Sequence, residues 1–69
     1  MMQIDITDGE KEVFETSVKE VQKTFELVVT IMERFDGVTR FNLKAELTET
    51  YYHLGFTVAN RMAAKEIHG

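Results

Sequence analysis

The spacing of apolar residues changes period several times along this chain. Met2, Ile4 and Ile6 alternate with Gln3, Asp5 and Thr7, the period-two mark of a short strand. The spacing then lengthens. Phe14, Val18, Val21 and Phe25 recur at steps of four, three and four, which predicts a helix over about residues 8–24. Thr7-Asp8-Gly9-Glu10 has the form of a capping box, with the Thr7 hydroxyl accepting from the Glu10 amide and the Glu10 side chain returning the bond. Acids crowd the first turn, and Lys19 and Lys23 sit near the end, as the helix dipole favours.

The middle of the chain carries the clearest pattern. A three-residue loop over Phe35-Asp36-Gly37, with Gly37 left-handed, sets Ile31 opposite Phe41 and Val29 opposite Leu43. The same register sets Leu27 opposite Ala45 and Phe25 opposite Leu47, so four apolar pairs line one side of a hairpin. A competing reading continues the first helical stripe through Val28, Met32 and Phe35, giving an all-α hairpin with helices about 8–35 and 42–67. Two features favour strands. The run Leu27-Val28-Val29-Thr30-Ile31 is rich in β-branched residues, and residues 40–48 alternate strictly, a pattern that a helix would scatter around its circumference.

After Thr48, an expected N-cap, the helical period returns. Tyr52, Phe56, Ala59, Ala63 and Ile67 form one apolar row, widened by Tyr51, Val58 and Met62, and predict a second helix over about 49–67. Gly55 in its interior costs about 1 kcal/mol relative to Ala, a cost that a close backbone crossing would justify. The predicted architecture is a single α+β domain over 1–69, β-α-β-β-α, with both helices on one face of a three-stranded sheet. The open face would present Val28, Thr30, Met32, Arg34, Val38, Arg40, Asn42 and Lys44. Its apolar members, Val28, Met32 and Val38, make it a candidate face for a homodimer or a partner.

Composition narrows the function classes. A chain of 69 residues buries only about 60% of the surface its unfolded form exposes. With no Cys, it has neither a disulfide nor a thiolate zinc site for support. Association is the remaining route to more buried apolar area. The apolar runs are far shorter than the ~20 residues of a membrane span, and Asp5 and Asp8 are wrong for a secretory leader, so a cytoplasmic protein without membrane contact is expected. The net charge of −4 is uneven. Residues 1–36 hold nine acids against four bases, whereas residues 37–69 hold three against four.

No P-loop, dinucleotide glycine pattern or nucleophile elbow occurs, and the four glycines are isolated. No cofactor or metal is implied. Tyr51-Tyr52-His53 is the densest polar aromatic cluster. Acid–base work or small-ligand binding there is the enzymatic alternative, but tyrosines starting an amphipathic helix ordinarily pack their rings and wet their hydroxyls. The leading expectation is therefore a non-enzymatic, acidic interaction module, a regulator or inhibitor of another protein. Its docking strip would be Asp8, Glu12, Glu15 and Glu20 on the first helix, facing a basic partner such as a nucleic-acid-binding surface. Small phage proteins that occupy such grooves are an analogy of size and charge only. The bland alternative is a solvated helix face with Glu15 and Lys19 paired. A nucleic-acid-binding protein would instead use Arg34, Arg40 and Lys44 on the open sheet face, although stacking aromatics are missing from that predicted face.

Overall fold

The computed structural model describes residues 2–68, with side chains placed for 2–65. Five elements follow in the order β1 (Met2–Thr7), α1 (Asp8–Gln22), β2 (Val28–Phe35), β3 (Val38–Lys44) and α2 (Thr48–His68). The domain is α+β, with strands in the order β1-β3-β2 and every pairing antiparallel. The strictly alternating segment is thus the central strand. Thr39, Phe41 and Leu43 of β3 are all buried, because that strand is flanked on both edges and covered on one face.

The core is small. Ile6, Phe14, Val18, Val21, Leu27, Phe41, Leu43 and Leu54 form one cluster. Helix α1 supplies its centre: the Phe14 ring lies tilted against Phe41, with centroids 4.8 Å apart. Ser17 is buried on the same side of α1 and satisfies its hydroxyl by donating to the Val13 carbonyl at 2.7 Å. Helix α2 lies mainly along α1 and reaches the core through Leu54.

The α1 cap departs from the expected box. Thr7 stands at the N-cap with extended backbone, but its hydroxyl donates to the Glu10 carboxylate at 2.7 Å rather than capping an amide. The helix start is fixed from elsewhere. The Asp8 amide donates to the Gly37 carbonyl at 2.9 Å, so the hairpin turn caps the helix from across the fold. Helix α1 ends at Gln22, two residues before the predicted end, and Thr48 lies inside the first turn of α2 rather than capping it.

The hairpin register holds in its lower half: Ile31 faces Phe41 and Val29 faces Leu43. Above Ile31 it shifts by one. Glu33 pairs with Arg40, Arg34 with Thr39 and Phe35 with Val38, with Met32 at the irregularity. The loop is therefore two residues, not three. Asp36 and Gly37 both have positive φ, 45° and 75°, as a type I′ turn requires. The lost loop residue reappears as the bulge. The two outer pairs of the predicted ribbon, Leu27 with Ala45 and Phe25 with Leu47, do not form, because Phe25 and Leu27 lie before β2 and Ala45 and Leu47 beyond β3.

Candidate interaction surface

The bulge rearranges the open sheet face. Directly opposed residues share a side of the sheet, so Arg34, paired with Thr39, falls on the core side, away from Arg40 and Lys44. The predicted Arg34/Arg40/Lys44 patch is thus divided between two faces, and Glu33 and Phe35 take the places on the open side. A cross-strand row results, in which Asp5, Arg40 and Glu33 are neighbours on β1, β3 and β2. Arg40 Nε donates to Asp5 Oδ1 at 2.9 Å, its Nη1 lies 3.6 Å from Glu33 Oε2, and its guanidinium carbon sits 5.2 Å from the centre of the Phe35 ring. The Arg40 hydrogen bond lowers the Asp5 pKa from its ordinary value, while Asp5 raises that of Arg40. Two carboxylates thus compensate the central cation. Of the apolar residues expected here, Val28 and Met32 are exposed and Val38 is half-buried. Phe35 joins them, a residue that only the Asp36-Gly37 turn signal could have placed.

The acidic residues of α1 are exposed but not all unengaged. Glu15 pairs with Lys11 at 3.9 Å, not with Lys19, and Glu20 is bonded to Arg61 of α2. That bond holds the Glu20 carboxyl below its usual pKa. Asp8 and Glu12 are exposed beside them. Asp8 lies at the hairpin turn, where Gly37 approaches its carboxylate.

Tyr51, Tyr52 and His53 point three ways. The half-buried Tyr51 hydroxyl accepts from the Ala45 amide at 2.9 Å and lies 3.5 Å from the Ala45 carbonyl, stitching α2 to the end of β3. His53 stacks on Phe25 at 4.7 Å between centroids. Tyr52 is 74% exposed. The three do not converge on one reacting position. Among the described residues, no group of three or more His, Asp and Glu side chains is placed to hold a metal.

The largest departure from expectation lies on α2. Its predicted apolar row points outward: Tyr52 is 74% and Phe56 69% exposed, and Ala59 and Ala63 are exposed with them. The side chain of Ile67 lies outside the described residues. The helix instead turns Thr50, Leu54 and Val58 toward the rest of the fold, with Leu54 only 4% exposed. Gly55 meets no close crossing; a Cβ there would have nothing within 4 Å. The outer side of α2 is therefore a second apolar face. Glu49, Tyr52, His53 and Phe56 frame a shallow, mainly apolar dish at its N-terminal end.

No helix among the described residues is long and apolar enough to cross a membrane. Comparison with protein families, curated proteins and solved structures found no match to this chain.

Proposed function

We propose that the chain is a non-enzymatic protein-interaction module that binds a protein chain through the outer face of α2. The observation that carries this reading is the imbalance between inside and outside. Among the described residues, eight hydrophobic side chains make the buried core and eight large ones stay exposed, including Val28, Ile31, Met32 and Phe35 of the hairpin and Tyr52 and Phe56 of α2. Exposed apolar residues scattered singly are ordinary, whereas contiguous patches mark interaction surfaces. Tyr52 and Phe56 are one helical turn apart and continue into Ala59 and Ala63, so the α2 group is contiguous.

A basic partner docked on α1 has weaker support, because Lys11 and Arg61 already engage two of its four acids. Nucleic acid on the sheet face is likewise disfavoured by the carboxylates flanking Arg40.

The test is the size of the assembly holding the tagged chain in extract of cells that make it. The reading predicts a complex well above 8.0 kDa that is lost in Phe56→Asp. A chain that stays monomeric both in extract and, when purified, at millimolar concentration, or a complex that Phe56→Asp leaves intact, would overturn it.

A further inference from the structure

We infer that the occupant of the outer α2 face is the same face of a second copy, laid antiparallel. This inference rests on the interaction-module reading and adds the partner and its register. The spacing of the row is the starting point. The four members of the row with described side chains, Tyr52, Phe56, Ala59 and Ala63, follow one another at four, three and four residues, steps that read the same in both directions. The first two side chains are large and the last two small. A two-fold axis between Thr57 and Val58 therefore sets Tyr52 against Ala63 of the other copy and Phe56 against Ala59, twice over. Every bulky ring meets a methyl, the large-against-small arrangement that lets facing side chains interdigitate, and the contact closes on itself as an isologous dimer must.

Orientation also follows from side-chain size and the helix dipoles. Glu49 precedes the row and Glu66 follows it, with His53 and Asn60 along one flank. A parallel pair would align the two helix dipoles, and stack Tyr on Tyr and Phe on Phe while leaving a gap between the alanines. The antiparallel pair sets Glu49 of each copy level with Glu66 of the other, where a parallel pair sets each beside its own copy, so the carboxylates do not choose between the two. The antiparallel pair opposes the dipoles and brings His53 of one copy beside Asn60 of the other. The two bases in the 49–65 part of the helix, Arg61 and Lys65, lie off this row, and Arg61 is already bonded to Glu20 of α1.

Area sets the strength. Aromatic side chains bury roughly 150–250 Å² each when covered. Tyr52 and Phe56 are 74% and 69% exposed, so four rings per dimer supply on the order of 400–700 Å². The alanines and the flanking residues lift the total toward the ~1,000 Å² that a specific interface needs. A reversible dimer with Kd on the order of 1–100 μM is the expected outcome.

Sedimentation equilibrium of the purified chain, across low-micromolar to millimolar concentrations, tests the pairing. The expected result is a monomer–dimer equilibrium that Phe56→Asp weakens at least ~30-fold while far-UV circular dichroism stays unchanged, since burying an unpaired carboxylate is costly and Phe56 lies outside the core. Ala59→Phe supplies the second arm. In the proposed register the new ring collides with Phe56 of the other copy and loosens the dimer ~10-fold; a merely sticky face would associate more tightly. A wild-type chain that stays monomeric throughout, an equilibrium indifferent to Phe56→Asp, or tighter association of Ala59→Phe would each overturn the inference. A purified monomer that nevertheless enters a Phe56-dependent assembly in extract would overturn self-pairing and leave the interaction-module reading standing.

Discussion

Both sides of α2 carry apolar residues, and the two meet opposite fates. The inner side holds Thr50, Leu54 and Val58, with Tyr51 at its edge; the outer side holds Tyr52, Phe56, Ala59 and Ala63. By hydrophobicity alone the outer row is the stronger candidate for the core. The inner side wins because it offers specific contacts. Leu54 completes the cluster around Phe14 and Leu43, Tyr51 bonds the Ala45 backbone, and Arg61 ties the helix to Glu20 of α1. Apolar periodicity thus reports that a helix has a face to bury, but not which partner it buries that face against.

Substitutions on the two sides should separate sharply. The largest effect belongs to Leu54→Ala, which leaves a cavity in an already small core and should cost about 2–5 kcal/mol in denaturant unfolding. A loss under 1 kcal/mol would mean that α2 is not anchored there. Tyr51→Phe removes the hydroxyl that the Ala45 backbone uses and should cost about 1 kcal/mol by the same measurement. Gly55→Ala should go the other way. No atom lies within 4 Å of the added methyl, so helix propensity alone should raise thermal stability by about 0.5–1 kcal/mol. Destabilisation there would reveal a close approach on the outer side. On that outer side, Tyr52→Ser measured at concentrations where the chain is monomeric should shift stability by no more than about 0.5 kcal/mol, the range of ordinary surface substitutions.

The smallest effect concerns pH. The Arg61 hydrogen bond lowers the folded-state pKa of Glu20 below its ordinary value of 4.5. A depressed carboxylate pKa stabilises the fold above the unfolded value, and that contribution disappears as pH falls through the lower folded value. Thermal melts between pH 6 and pH 3 should therefore show a slightly shallower acid loss in Glu20→Gln than in the parent, with both curves converging at the acid end. Parallel curves would mean that the α1–α2 ion pair contributes nothing in solution, the common fate of exposed pairs.

The legible parts of the fold are those where two independent patterns agree. Residues 40–48 alternate, and their apolar members match those of residues 25–31, so the hairpin and its lower register follow from the chain. Unbroken alternation up to Gly37 predicts a three-residue loop that the structure does not have. Asp36-Gly37 is itself the stronger signal, since it favours a two-residue loop with both residues at positive φ. Taking it at face value forces an extra residue somewhere in β2, and the bulge near Met32 is where it goes. That single residue moves Arg34 off the open face and brings Glu33 and Phe35 onto it beside Arg40, dissolving the basic patch. Alternation also cannot report coverage. Ile31 lies on the core side of an edge strand and is still 49% exposed, because α1 packs over β1 and β3 and leaves the β2 edge uncovered. The outer α2 face is legible as a row but not as an outward one, since Leu54 and its distant partners carry no local signature.

The most direct test of the account exploits the absence of cysteine from this chain. Ala59→Cys and Ala63→Cys, made separately and oxidised gently at a concentration above the dimer Kd, read the geometry of the pairing. In the antiparallel register the two 59 positions lie about 4–5 Å apart along the helix axis and the two 63 positions about 16 Å apart. A disulfide dimer should therefore form through position 59 and not through position 63. Equal cross-linking at both positions would mean parallel helices, and none at either would mean that this face meets something other than its own copy.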